Sequence, residues 1–189
     1  MQGSRGSAPR PAMATRDGYT PSPAAGASCG VRNGYALPSQ LAADRWAALV
    51  AARARAVEEL FPAPCVVVNV RTAISIDALD ASGAFLGGIV VPGLNLQLQS
   101  LAANTALKMP PGRYADFPVN NADALASGAV QAVCGAIEQM RARLGGEGVT
   151  VKCVLSGGAA SELAPHLTGP VEVVDNLVLE GALVLAQAE

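Results

Sequence analysis

The chain offers few side chains that can do chemistry, and they fall in two places. Asp44 and Arg45 lie in the opening turns of a helical pattern, close in sequence to Tyr35, while Thr72 marks the tip of a turn between two strand patterns. A strand, tight turn and strand with a hydroxyl in the turn can aim backbone N–H groups and a side-chain oxygen at an anion such as phosphate. On the residues alone this stretch also reads as an ordinary hairpin with a surface threonine. Asp44 and Arg45 likewise read two ways: as a solvated pair on a helix surface, or as a carboxylate aimed into a cleft beside Tyr35. The single histidine, His166, sits between Pro165 and Leu167 near an expected helix end. One imidazole rules against a Ser-His-Asp triad or a multi-histidine metal site. Catalysis then rests on carboxylates, hydroxyls and backbone dipoles.

Composition narrows the classes further. The 189 residues suffice for one domain with a substantial core. Hydrophobic residues make up 51% of the chain and aromatic ones only 4%, so the interior must be aliphatic. A net charge of −2 argues against a nucleic-acid surface, which needs a basic face. No window reaches the roughly 20 uninterrupted apolar residues of a membrane span, and the expectation is a soluble, cytoplasmic protein. Cys29, Cys65, Cys134 and Cys153 form no C-x-x-C pair, and free thiols in a reducing compartment are expected.

Periodicity supplies the elements that position these groups. Residues 1–30, rich in Gly, Pro, Ser, Ala and Arg, read as a disordered tail ahead of a domain over 31–189. Pro38 and Ser39 offer a helix start, and Leu41, Trp46, Leu49, Val50, Val57 and Leu60 share one helical face. CVVVNV, AISIDALD and AFLGGIV read as three consecutive strands with Thr72 between the first two. Leu94, Leu98, Leu101 and Leu107 mark a helix stopped by Pro110 and Pro111. The segment from Asn121 to the Gly145–Gly146 pair is a long helix, in which Gly128 and Gly135 suggest close packing against a partner. A strand into Ser156–Gly158, a short helix, the edge-like strand VEVVD and a closing helix complete the order. Three antiparallel strands followed by an αβαβα run form an α/β arrangement of the ribonuclease-H-like kind. Such halves pair in actin-like ATPases and sugar kinases around a nucleotide, and the N-terminal half is expected to be missing here.

From about Val31 onward the chain resembles the type III pantothenate kinases, also called the Bvg accessory factor family. The family segment N-G-Y-x-x-P-x-x-L-G-x-D-R-W is met as NGYALPSQLAADRW, and D-x-G-T-A-x-T-x-D as NVRTAISID. GGIVVPGL with TALKMP, NNADALASG and the SGG at 156–158 match three further segments in order. The resemblance implies transfer of the ATP γ-phosphoryl group to pantothenate, giving 4'-phosphopantothenate for coenzyme A synthesis. It implies Asp44 as general base, a pantothenate site lined by Tyr35, Ala42, Ala43, Asp44 and Arg45, and Thr72 against an ATP phosphate. It also implies Mg2+ with the nucleotide, a monovalent cation (potassium or ammonium) at Asn69, and a homodimer in which Asn121 completes the neighbouring subunit's pantothenate pocket. The chain departs from the pattern at Asn69, where the family has Asp, at Arg71 and Ala42, where it has Gly, and at Asn121, where it has Thr. Arg71 is expected to strain a turn built for a glycine with positive φ. With the first phosphate loop also absent from residues 1–30, the expectation is a kinase of impaired activity. The alternative is a non-catalytic homologue that keeps a dimerising, pantothenate-binding module.

Overall fold

A computed structural model of the chain describes residues 26–57, 62–104, 111–146 and 148–188. Its elements in chain order are β1 (Ala27–Ser28), β2 (Val31–Asn33), α1 (Ala43–Val57), β3 (Cys65–Val70), β4 (Ala73–Leu79), β5 (Ala84–Pro92), α2 (Leu94–Asn104), α3 (Asn121–Leu144), β6 (Lys152–Ser156), α4 (Ala160–Leu163), β7 (Val171–Val173) and α5 (Leu177–Gln187). The strands form one sheet in the order β1-β2-β5-β4-β3-β6-β7. β3, β4 and β5 make an antiparallel meander, and β6 and β7 continue parallel to β3.

Alternation along the strands divides the interior in two. Cys65 and Val67 of β3 and Leu79 of β4 pack under α1 and α5, whereas Val66, Val68, Val70, Ile74 and Ile76 pack under α3. With helices on both faces, β3 is buried at every position and β4 at every position after its first. This is why an unbroken apolar run still forms strands. The thin side chains of α1 let α5 approach closely. A Cβ on Gly181 would stand 1.8 Å from the Ala47 carbonyl oxygen, so the two backbones touch. Gly181→Ala is expected to cost about 1–3 kcal/mol by forcing the helices apart, read as a lowered denaturant midpoint at unchanged slope.

A polar clasp holds the same helices to the sheet edge. Arg55 of α1 binds Glu172 of β7 and, at 3.1 Å, Glu180 of α5, and Lys152 lies 3.6 Å from Glu172. The Arg55 guanidinium holds the Glu172 carboxyl below the usual carboxylate range. A lowered carboxyl stabilises the fold above its unfolded value, near pH 4.3, and loses that contribution as pH falls through the folded value. Glu172→Gln should therefore lower stability at neutral pH by less than about 1 kcal/mol, as befits a half-exposed pair, and flatten the acid limb of a stability-against-pH curve.

Several expectations need correction. Residues 27–30 are not tail: β1 and β2 form a hairpin through Gly30, at φ +76°, and β2 adds to β5 in parallel with Val31 fully buried. A two-residue and a three-residue strand carry no readable period, and burial of Val31 anchors them. The helix expected from Pro38 is a single 3-10 turn over Pro38–Gln40. The chain then extends at Leu41, which dives into the core, and α1 begins at Ala43. Among the described residues of this chain nothing lies within 4 Å of a Cβ built on Gly128 or Gly135, which leaves a partner chain as the only packing that could account for them. The expectations for residues 1–25, Leu60, Leu107 and Pro110 concern positions outside the described residues. All four cysteines are free, with Cys65, Cys134 and Cys153 buried.

Candidate functional site

The first group of polar residues gathers where α1 starts. The turn after β2 runs against β5, since a Cβ on Gly34 would stand 2.1 Å from the Phe85 carbonyl oxygen. Asn33 fixes the turn: its Oδ1 accepts the Tyr35 N–H at 3.0 Å and its Nδ2 donates to the Pro38 carbonyl at 3.4 Å. Tyr35 is thereby laid on Phe85, ring centroids 5.2 Å apart. Arg45 reaches across both rings, 5.5 Å from the Tyr35 centroid and 5.9 Å from that of Phe85. Its Nη1 donates to the Tyr35 hydroxyl at 2.9 Å, its Nε to Asp77 Oδ2 at 3.1 Å, and its Nη2 to Asp77 Oδ1. Opposite Asp77 in the ladder is Gly88, where a Cβ would come within 2.0 Å of the carboxylate. Only glycine leaves room for the pair.

Asp77 is completely buried in mid-sheet. Burial pushes its carboxyl above the ordinary value, the two bonds from Arg45 pull it back in part, and the nearby negative charge of Asp44 pushes it up again. Burial lowers the Arg45 guanidinium, but its bonds to Asp77 and Tyr35 outweigh that and hold it above the ordinary value. Arg45 is thus committed to Asp77 and not to its neighbour. Asp44 stands exposed in the first turn of α1, one carboxylate oxygen accepting the Arg45 backbone N–H at 2.8 Å. A negative charge there is favoured by the helix dipole. Ala42 and Ala43 lead into the helix, the Ala42 carbonyl accepting the Trp46 N–H at 3.0 Å. Tyr35, Ala42, Ala43, Asp44 and Arg45 therefore form one corner: an exposed carboxylate beside a fixed cation and a phenol.

The second group lies at the turn joining β3 and β4. Thr72 is exposed, and its carbonyl accepts the Gly93 N–H at 2.8 Å. Gly93 lies against this turn and Gly157, at φ +108°, against the last residue of β3; a Cβ on either would fall within 2.3 Å of a carbonyl oxygen of Arg71 or Val70. Arg71 itself takes an ordinary negative φ, because among the described residues Cys29 is the one non-glycine with φ above zero. The expected strain is absent: the turn reaches its shape without a left-handed residue. Thr72 and Arg71 open onto a cavity of about 1040 Å3 between α2 and α3.

Asn69 is buried on the α1 side of the sheet, in register with Ser75 of β4 and Ser156 of β6. The Ser156 hydroxyl accepts the Leu177 N–H at 3.3 Å, while Asn69 Nδ2 has no partner among the described residues. This row holds no carboxylate, and the acid two residues further along β4, Asp77, is engaged by Arg45. Among the described residues no group of three His, Cys, Asp or Glu is placed to hold a metal ion. A neutral amide and two hydroxyls offer oxygens but no formal charge, so any hold on a monovalent cation at Asn69 is weak.

Asn121, the first residue of α3, is exposed on the opposite side of the sheet from α1, and one chain does not bring it to Asp44. Asp77, Phe85 and Gly88 were not singled out from the sequence as part of this corner. The signal was present in Ser75 and Asp77, polar residues at alternate positions of an otherwise apolar strand.

A family model described as type III pantothenate kinase matches residues 19–143. A type III pantothenate kinase of Nitrosospira multiformis is 49% identical over 161 residues, spanning 84% of this chain and 60% of the relative. One from Aromatoleum aromaticum is 50% identical over 165 residues, 85% of this chain and 64% of the relative. The chain thus spans about three fifths of the length of the curated relatives it matches. Among solved structures, a Campylobacter jejuni protein described as a Baf family transcriptional activator matches 75% of this chain and 63% of its own, with a TM-score of 0.56 at 20% identity, a likeness of fold. On the family model and these relatives, the chain belongs to the type III pantothenate kinase family.

Proposed function

We propose that this chain carries the acceptor site and proton-accepting group of an ATP-dependent pantothenate kinase, and that the meander with β6 parallel to β3 is one half of a ribonuclease-H-like, actin-like ATPase fold. The observation that carries the reading is the commitment of Arg45 to Asp77 and Tyr35, which leaves the exposed Asp44 carboxylate outside any ion pair with the described residues. There Asp44 takes the proton of the pantothenate primary hydroxyl. The oxygen attacks the γ-phosphorus of ATP, the bond from that phosphorus to the β–γ bridging oxygen breaks, and ADP leaves. Tyr35 and Arg45 orient the acceptor, and the Thr72 turn meets the phosphates of the nucleotide. Magnesium arriving with the nucleotide would supply charge neutralisation at its phosphates and would need few protein ligands. In a homodimer, Asn121 of one protomer completes its partner's acceptor site, a role its exposure at the start of α3 supports. Four free thiols fit a cytoplasmic enzyme.

The test follows labelled pantothenate with ATP and Mg2+. Phosphopantothenate is expected to form, and Thr72→Val should raise the KM for ATP about tenfold, as loss of a hydrogen bond to a charged oxygen does. Because Asn69 carries no charge, exchanging potassium for sodium at constant ionic strength should change the rate by less than about twofold. No product and no bound nucleotide under any salt would overturn the reading.

A further inference from the structure

The cavity beyond Thr72 has a composition of its own. Leu94 and Leu98 of α2 and Ala126 and Val130 of α3 give it apolar walls, and among the described residues Arg71 is the one Lys or Arg lining it and Glu162 the one carboxylate. Tyr114 and His166 line it as well, their rings in contact with centroids 3.8 Å apart and planes tilted by 37°. Both rings are half-buried. The two lie far apart in sequence, Tyr114 on the approach to α3 and His166 in the 3-10 turn after α4. That turn follows the loop of Gly157 and Gly158, and Gly157 packs against the end of β3. The cavity therefore combines a turn bearing a hydroxyl and a permanent positive charge, apolar helix faces and an aromatic pair.

An occupant matched to this space has a polyanionic end and a flat, polarisable, largely apolar end. A π-face on a stacked Tyr–His pair is a sequence-tolerant seat for a nucleobase, of the kind protein aromatics provide for single-stranded nucleic acids. We propose that Tyr114 and His166 are the platform on which the base of the phosphoryl-donor nucleotide stacks, with its phosphates at Arg71 and Thr72. This rests on the nucleotide reading of the Thr72 turn and adds to it the residues that seat the base.

The sole histidine makes the test direct, since every imidazole proton signal of the chain belongs to His166. ADP and tripolyphosphate, which lacks the base, are titrated into the full chain by proton NMR and calorimetry. ADP is expected to move the His166 signals saturably and tripolyphosphate to leave them in place. Tyr114→Leu should weaken ADP by about tenfold and tripolyphosphate by less than about twofold. His166→Leu gives the same affinity comparison should the Tyr114 variant fold poorly, and the wild-type titration needs no variant at all. ADP binding that Thr72→Val weakens but that leaves the His166 signals unmoved would overturn the platform and leave the nucleotide reading intact. The same shift with tripolyphosphate alone would also overturn it. No ADP binding at all would remove both.

Discussion

Asp44→Asn is expected to lower kcat for pantothenate phosphorylation by about 10²- to 10⁴-fold while pantothenate affinity changes by less than about twofold. The amide keeps the shape of the side chain and the hydrogen bond from the Arg45 backbone N–H, which the Asn oxygen can accept as Asp44 Oδ1 does at 2.8 Å. It removes only the basicity that takes the hydroxyl proton. Arg45 stays on Asp77 and Tyr35, so the corner that orients the acceptor is preserved. An equal loss of affinity and turnover would instead mark Asp44 as a binding group. Measured kcat and a calorimetric dissociation constant on the same two proteins separate the outcomes.

The second large effect is on stability. Asp77→Ala should destabilise the fold by about 3–5 kcal/mol, because it strands the guanidinium of Arg45 over the sheet with its partner gone. The side chain of Arg45 is 11% exposed and that of Asp77 1%, so water does not replace the lost carboxylate. Tyr35 still accepts one bond from Arg45, but a phenol oxygen does not balance a charge. The contrast with Glu172, whose loss costs less than about 1 kcal/mol at the half-exposed edge, isolates burial as the cause. Urea unfolding of both variants beside the wild type measures the difference. Pantothenate binding should fall with Asp77→Ala, since the group that fixes the direction of Arg45 is gone.

How far the sequence was legible follows from what each feature depends on. β3 and β4 could be read because each is a short, mostly β-branched apolar run covered on both faces, and α3 because it presents one apolar stripe. The hairpin of β1 and β2 could not, because it is too short for a period and takes its partner, β5, from some fifty residues downstream. Adjacent opposite charges at 44 and 45 invited a local pair, whereas the partner of Arg45 lies 32 residues away across the sheet. At the Thr72 turn, the glycine that Arg71 replaces pointed to a left-handed residue. The chain keeps φ negative there and places its close approaches at Gly93 and Gly157 instead. The wall of Tyr114 and His166 had no sequence signal at all, because it exists only once the 3-10 turn after α4 comes to rest against the approach to α3.

That the corner of Tyr35, Asp44 and Arg45 receives pantothenate is tested most directly by calorimetric titration of the vitamin into the wild-type chain and into Tyr35→Phe. Saturable binding to the wild type is expected, weakened about tenfold in the variant, whose ring still packs on Phe85 but no longer accepts from Arg45 Nη1. Absence of binding to the wild type, or equal binding to both, would contradict the placement of the acceptor at this corner.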